Sequence, residues 1–312
     1  MNTVPIVFAF DKNLVMPACV CISSLLMNAR KDTFYDIFIL SPTNAHLERT
    51  ALNRLTTYYS NCQLHFRTVD DRFAQCYEIR GITISTYYRL LIPELIPEYD
   101  KIIYSDVDVI FRMDLSDVYA VVLDEKLIAA TLDLGMNWTL KGKAYIEKVL
   151  HMESGHYVQA GFTIFNSGKM REEHLVDVFM HLSGKKFKYQ DQDILNVVCK
   201  DRIKYLSPCY NMTDYSTYYA VKEKKKFLSI FTENDRGTCL LNGNLHYNGH
   251  KPWKKFSVNF DLWWEVYRKS PFFEEQFYFD FYWGRLNELD QLSLWKRIKI
   301  LIRYFVYGKK RL

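Results

Sequence analysis

Thr3-Val4-Pro5-Ile6-Val7-Phe8-Ala9-Phe10-Asp11-Lys12-Asn13 is an apolar run rich in strand-forming residues that stops at short polar side chains, the pattern of a buried strand ending at a loop. The chain beyond Asn13 repeats the theme. A helix is predicted over 14–29, a strand over 36–41, a helix over 43–59 with Leu47, Ala51, Leu52 and Leu55 at helical spacing, and a strand over 63–69. Strand–helix–strand–helix–strand predicts an α/β fold, with parallel strands joined by right-handed crossovers. Such sheets bind ligands at the carboxyl ends of their strands, where Asp11 and Asn13 fall. No Gly-x-Gly-x-x-Gly follows the first strand, so a dinucleotide fingerprint is absent. Asp11 and Asn13 suit contacts to a base or ribose, or equally the cap of the next helix.

A second strand of this kind, Lys101-Ile102-Ile103-Tyr104-Ser105-Asp106-Val107-Asp108-Val109-Ile110-Phe111, carries two carboxylates. In extended backbone, residues i and i+2 share a face, so Asp106 and Asp108 are expected to project together from the end of a buried strand. Two unpaired like charges there are costly unless they share a cation, and hard oxygen ligands suit Mg²⁺ or Mn²⁺. A bare Asp-x-Asp also fits a solvated turn or a helix cap. Further strands are predicted at 126–132, with Asp133 just beyond, and at 162–166, followed by a helix over 170–183.

Tyr189-Gln190-Asp191-Gln192-Asp193-Ile194-Leu195-Asn196 opens another helix, whose macrodipole favours Asp191 and Asp193 at its N-terminus. In Asn244-Leu245-His246-Tyr247-Asn248-Gly249-His250-Lys251-Pro252-Trp253, His246 stands at a strand end and can complete a carboxylate metal site. Gly249 lets backbone amides approach an anion, and Lys251 supplies a point charge. A lone buried histidine is also an ordinary core residue.

Taken together, five collinear runs over about residues 4–255 resemble glycosyltransferase family 8, the retaining nucleotide-sugar transferases, and among them the bacterial lipopolysaccharide galactosyl- and glucosyltransferases. The runs are Ile6 to Asn13, Ile84 to Leu90, Lys101 to Phe111, Tyr189 to Asn196 and His246 to Trp253. The resemblance implies a GT-A nucleotide-sugar-binding fold, a Rossmann-like mixed sheet flanked by helices. It implies a UDP-hexose donor and Mn²⁺, with Mg²⁺ the alternative. Ala9, Asp11 and Asn13 match uridine-holding positions. Asp106 and Asp108, with Val107 between them, match the metal-binding pair, and His246 matches the third protein ligand. Gly249 and Lys251 match the diphosphate loop, and Arg89, Asp133, Asp191 and Gln192 match positions lining the donor sugar. Gln192, Asp191 and Arg89 are the candidate catalytic residues. Two departures stand out. Only His250 separates Gly249 from Lys251, where the family has two residues, and Gln159 in Val158-Gln159-Ala160-Gly161 stands where close relatives carry Asn, a change bearing on which hexose epimer fits.

The implied reaction moves galactose or glucose to a hydroxyl of a saccharide or glycolipid acceptor such as lipopolysaccharide. Two other readings compete. Asp106-Val107-Asp108-Val109 after an apolar strand fits a phosphohydrolase of the haloacid dehalogenase type, although that motif normally lies in the first strand. A donor-binding but inactive partner subunit is the non-enzymatic alternative.

The 312 residues are 49% hydrophobic and 25% charged, a globular composition. They are read as a catalytic domain over 1–255 and a helical region over 256–312. Seven cysteines without a Cys-x-x-Cys pair suggest neither a disulfide framework nor a zinc site. No signal peptide or membrane span is evident, so a cytoplasmic protein is expected. Of the net charge of +5, seven positive charges lie in residues 296–312 without an acid, leaving −2 on the rest. Interleaved with Leu294, Trp295, Ile298, Leu301, Ile302 and Phe305, they form a basic amphipathic helix of the kind that lies on an anionic membrane surface, or that docks on the body with its basic face solvated. The family resemblance implies that residues 290–312 hold the protein peripherally at the inner face of a bacterial cytoplasmic membrane. A charge confined to the tail, without a recognisable module, argues against nucleic-acid binding. The aromatics of 256–283 are expected mostly to pack as core, with an acceptor platform or a second membrane contact as the alternatives.

Overall fold

The computed structural model describes residues 2–42, 49–79, 83–288 and 290–307. Its centre is a seven-stranded sheet. The strands are β1 (Asn2–Ala9), β2 (Thr33–Pro42), β3 (Cys62–Val69), β4 (Lys101–Ser105), β6 (Ile128–Leu132), β7 (Val158–Asn166) and β8 (Ile203–Tyr205), in the spatial order β3-β2-β1-β4-β7-β6-β8. A two-stranded sheet pairs β5 (Val109–Ile110) with β9 (Leu245–His246).

The parallel half follows the sequence expectation. Helix α1 (Val15–Met27) connects β1 to β2, and α2 (Arg49–Tyr58) leads from β2 to β3. The part of the second predicted helix over 43–48, with Leu47, lies outside the described residues. β1 pairs in parallel with β2 over its whole length and with β4 over Ile6–Phe8. Pro5, which has no N–H to donate, stands just before that second pairing begins. The strand's alternation divides it between two apolar layers. Val4, Ile6 and Phe8 pack with α1 on one face, while Val7 and Ala9 pack with Tyr87, Tyr88 and Ile194 on the other.

The sheet then reverses. β7 runs antiparallel to β4 and to β6, and a register shift falls at Ala130/Thr131, opposite the start of β7. β7 begins at Val158, four residues before the predicted 162–166, so Gln159-Ala160-Gly161 is strand. The helix predicted over 170–183 is two helices, Ser167–Glu172 and Leu175–Ser183. His174 between them takes the left-handed conformation (φ 53°) and interrupts the helical ladder.

The chain divides into two compact units, Met1–Phe272 and Phe273–Leu312. In the first, helix Phe260–Lys269 packs against α1 and β5 and buries Trp263, Trp264 and Tyr267. In the second, helices Glu275–Leu286 and Leu294–Tyr307 leave Phe279, Trp283, Leu294, Trp295, Leu301, Ile302 and Phe305 exposed. The aromatic stretch therefore packs as core only in its first part. Lys309, Lys310 and Arg311 lie outside the described residues, and no described helix is long and apolar enough to cross a membrane.

Candidate active site

The carboxyl ends of β1 and β4 open onto a crevice of about 710 Å³, within the range of ligand pockets. All the residues singled out from the sequence line it: Ala9, Asp11, Asn13, Arg89, Asp106, Val107, Asp108, Asp133, Gln159, Asp191, Gln192, His246, Gly249 and Lys251.

Asp106 and Asp108 do not share one strand. β4 ends at Ser105, the chain bends through Val107-Asp108, and Val109 resumes extended structure in the other sheet. The convergence comes instead from β9, whose His246 sits opposite Val109. His246 Nε2 lies 3.3 Å from Asp108 Oδ1 and 3.7 Å from Asp106 Oδ2. Among the described residues these three offer ligand atoms within 4.8 Å of one another, a group that could hold a metal ion. Two carboxylate oxygens and one imidazole nitrogen suit Mg²⁺ or Mn²⁺. Gly161 keeps the space open: a Cβ there would collide with His246 Cε1 and come within 2.6 Å of Asp106 Oδ2. The donor set and the clearance both fit a divalent ion.

The carboxylates already have organic partners. Arg89 is buried, with Nη2 2.7 Å from Asp106 Oδ1, Nε 2.9 Å from Asp191 Oδ2 and Nη1 donating to Ala160 O at 2.8 Å. Its guanidinium carbon lies 4.1 Å from the centroid of the Tyr104 ring, whose hydroxyl donates to Asp106 Oδ1 at 2.8 Å. Burial works against the Arg89 charge, but Asp106 and Asp191 outweigh it and hold its pKa above the ordinary value. Burial would likewise raise Asp108, yet Lys251 and His246 hold it well below the usual carboxylate range. Lys251 forms an ion pair with Asp108 and donates to Tyr247 O at 2.7 Å. Lys251 at the end of Gly249-His250-Lys251 is thus turned onto Asp108. Gly249 lies against Asp214, whose Oδ2 a Cβ at 249 would strike.

The remaining candidates line the same crevice. Asp191 is buried and accepts from Thr86 Oγ1 at 2.6 Å. Burial raises its pKa to about 6, and Arg89, divided between two carboxylates, offsets only part of that. Asp133 caps the helix Leu134–Trp138 by accepting from Met136 N at 2.9 Å, and burial raises its pKa too. Gln192 Oε1 accepts from Ala160 N at 3.1 Å, and Nε2 lies 3.2 Å from the Tyr157 hydroxyl and 3.4 Å from Asp133 Oδ2. Asp11 caps the turn Lys12–Leu14, accepting from Asn13 N at 2.8 Å and from Thr83 Oγ1 at 3.2 Å. Asp193 does more than favour a helix dipole: it is fully buried and accepts from Tyr145, Tyr157 and the Tyr189 amide.

Sequence reasoning missed Thr86, Tyr104, Tyr157 and Asn211. Thr86 and Tyr104 stand inside runs already marked, one i−3 from Arg89 and one i−2 from Asp106, so their proximity was available. Tyr157 and Asn211 carry no local signal.

The mixed sheet flanked by helices, with its reversed β7, has the GT-A architecture. Residues 5–257 match the model of glycosyl transferase family 8, and the chain belongs to that family. A lipopolysaccharide 1,2-glucosyltransferase of Escherichia coli is 25% identical over 283 residues, 86% of this chain and 79% of that one. A Haemophilus influenzae protein assigned to the glycosyltransferases is 30% identical over 217 residues, 68% of this chain and 64% of that one. Among solved structures, the bifunctional glycosyltransferase WbbM superposes with a TM-score of 0.70 at 28% identity, covering 89% of this chain and 51% of its own. The galactosyltransferase LgtC, solved with donor and acceptor sugar analogues, has a TM-score of 0.70 at 23% identity, covering 88% and 98%, and bears on the fold alone. The chain thus spans about two thirds of the Haemophilus relative and half of WbbM. Membership of glycosyl transferase family 8 is what the match establishes, and the phosphohydrolase alternative gives way to it.

Proposed function

We propose that the protein is a retaining hexosyltransferase that moves galactose or glucose from a UDP-sugar to a hydroxyl of a cell-surface saccharide, lipopolysaccharide being the acceptor class of the Escherichia coli relative. The supporting observation is two sets of side chains in one crevice, joined by Arg89. Asp106, Asp108 and His246 bring their ligand atoms together, with Lys251 paired to Asp108, and Arg89 bridges from Asp106 to Asp191, with Asp133 and Gln192 lining the same crevice. The first set suits a diphosphate with its cation, the second a polyhydroxylated ring. Ala9, Asp11 and Asn13 at the end of β1 line the remaining part, where a uridine would lie.

A divalent ion, Mn²⁺ or Mg²⁺, held by Asp106, Asp108 and His246 would supply electrophilic stabilisation of the departing diphosphate. Lys251 adds a point charge once it leaves Asp108, and preorganised charge of this kind contributes several kcal/mol elsewhere, on the order of 3 for a single donor. Retention by double displacement needs a nucleophile opposite the leaving group. The candidate there, Gln192, is an amide, a poor nucleophile, and is held as a fixed dipole by Ala160 and Tyr157. A front-face route is the alternative that fits: the acceptor hydroxyl attacks on the side from which UDP departs, and a leaving phosphate oxygen takes its proton. Gln192 steadies charge on the ring, while Asp191 and Asp133 orient donor hydroxyls. The exposed apolar side chains and basic residues of Leu294–Tyr307 support a peripheral site of action on an anionic cytoplasmic membrane face.

The test is UDP release from UDP-hexoses by the unaltered chain, Asp108→Ala and Gln192→Ala. The reading expects no release by the first variant, and slow release with UDP binding kept by the second. Hydrolysis of simple phosphate esters without UDP release would overturn it, and UDP binding with no turnover on any acceptor would favour the inactive-subunit alternative.

A further inference from the structure

Behind His246 runs a chain of buried hydrogen bonds that no part of the reaction above uses. The Gly161 backbone N–H donates to Gln159 Oε1 at 2.6 Å. A backbone N–H can only donate, so the atom facing it is the amide oxygen, and the Gln159 orientation is fixed. Asn211 Nδ2 lies 2.6 Å from the same oxygen, which turns the Asn211 amide so that its NH₂ faces Gln159. Asn211 Oδ1 is then the atom 2.9 Å from His246 Nδ1. An amide oxygen only accepts, so Nδ1 carries a hydrogen, and Nε2 is the nitrogen turned to Asp106 and Asp108.

Gln159, Asn211 and His246 are 7%, 1% and 3% exposed, so bulk water offers the ring little alternative partnership. The backbone holds the chain in register. His246 N donates to Met212 O at 2.9 Å, and Met212 N to Asn244 O at 2.7 Å, which ties the segment bearing Asn211 alongside β9. Gly161 serves twice, since its N–H anchors the chain and its missing Cβ leaves room for the imidazole.

We propose that Gln159 and Asn211 are positioning residues that fix the His246 ring in the orientation and tautomer presenting Nε2 to a divalent ion. The proposal rests on the metal-site reading above. Ligand histidines depend on such partners, and their loss typically weakens metal binding roughly 10- to 100-fold. It also gives Gln159 a task its sequence position did not suggest. Its oxygen already accepts two hydrogen bonds, from the Gly161 N–H and from Asn211, and Asn211 in turn reaches the metal histidine.

The experiment titrates Mn²⁺ alone, without nucleotide, into the purified full chain and follows free Mn²⁺ by electron paramagnetic resonance. Gln159→Leu and Asn211→Leu are expected to weaken binding roughly 10- to 100-fold. Gln159→Glu keeps an oxygen for both Gly161 and Asn211, and is expected to bind at least as tightly as the unaltered chain. Nitrogen-15 NMR of the His246 ring is the second readout, with a hydrogen held on Nδ1 in the unaltered chain and in Gln159→Glu, and no longer fixed there in Gln159→Leu. Unchanged Mn²⁺ affinity in Gln159→Leu with Nδ1 still protonated overturns the proposal. Failure of the unaltered chain to bind Mn²⁺ would sink the metal reading, leaving the tautomer measurement to judge the hydrogen-bond chain by itself.

Discussion

Replacing Tyr157 by Phe removes one oxygen from the support of Gln192. The Tyr157 hydroxyl donates to Asp193 Oδ1 at 2.6 Å, and having given its only proton to the carboxylate it can only accept from Gln192 Nε2, 3.2 Å away. That turns the Gln192 amide so that Oε1 meets the Ala160 N–H. Phe fills nearly the same space, so no large cavity forms. The loss is one charge-assisted hydrogen bond, worth about 1.5–3 kcal/mol, and one long neutral one, worth about 0.5. Asp193 keeps the Tyr145 hydroxyl at 2.6 Å and the Tyr189 amide at 2.8 Å, so its charge is not stranded. A destabilisation of about 2–3.5 kcal/mol is expected, small enough against a typical ~5–15 kcal/mol to leave the variant folded. Gln192 Nε2 retains only a 3.4 Å approach to Asp133, so its amide can turn over. Turnover is expected to fall about tenfold, equivalent to about 1.4 kcal/mol of barrier, with UDP affinity unchanged. Urea unfolding, UDP release and calorimetric UDP titration read the three quantities. A stability loss below about 0.5 kcal/mol, the floor for a made hydrogen bond, would refute the pairing with Asp193; a stability loss with turnover intact would refute the role given to Gln192.

Three further outcomes are expected from the same geometry. Lys251→Ala frees Asp108 from its ion pair, whose side chains are 31% and 15% exposed, so Mn²⁺ alone should bind about fivefold more tightly, for a pair worth about 1 kcal/mol, while UDP binds more weakly; metal affinity unchanged or reduced would contradict this. Asp191 has a folded pKa of about 6 against an ordinary 3.8, so from pH 4 to 6, roughly, the unfolded chain has lost a proton that the folded one keeps, and stability falls as pH rises through that window. The span amounts to about 3 kcal/mol, so in metal-free protein Asp191→Asn should gain that much relative to the unaltered chain across it, and parallel stability–pH curves would count against the assignment. Deleting residues 290–312 should release the protein from anionic vesicles with donor hydrolysis retained; vesicle binding that survives the deletion removes the membrane role.

The half of the fold built from β1, α1, β2 and β3 was legible because period-2 and period-3.6 patterns there coincide with single elements. β7 was only half visible. Gln159-Ala160-Gly161 looks like a break in an apolar strand, yet these residues extend it because each has a site task, with Gly161 making room for His246 and Gln159 reaching Asn211. His174 hides the break between two helices, since a left-handed residue leaves no mark on apolar periodicity. In the site, motif residues were found at strand ends and through the family resemblance, but their partners were not. Asp193 was read as a helix-end acid because its tyrosines come from positions 145, 157 and 189. Asn211 pairs with His246 from 35 residues away. Pairing of that kind is set by how β7 and β9 come together, and no local pattern encodes it. The Asp106–Asp108 pair shows the converse: the expectation of one shared strand face was wrong in geometry, since the backbone bends at Val107, although the two carboxylates do meet His246.

The most direct test of a metal-dependent UDP-hexosyltransferase is release of UDP from a panel of UDP-sugars without acceptor, with Mn²⁺ and then with chelator. The account expects one UDP-hexose to be hydrolysed with Mn²⁺ and none with chelator, which would name the donor at the same time. Hydrolysis undiminished by chelator, or no binding of UDP with Mn²⁺ present, would contradict it.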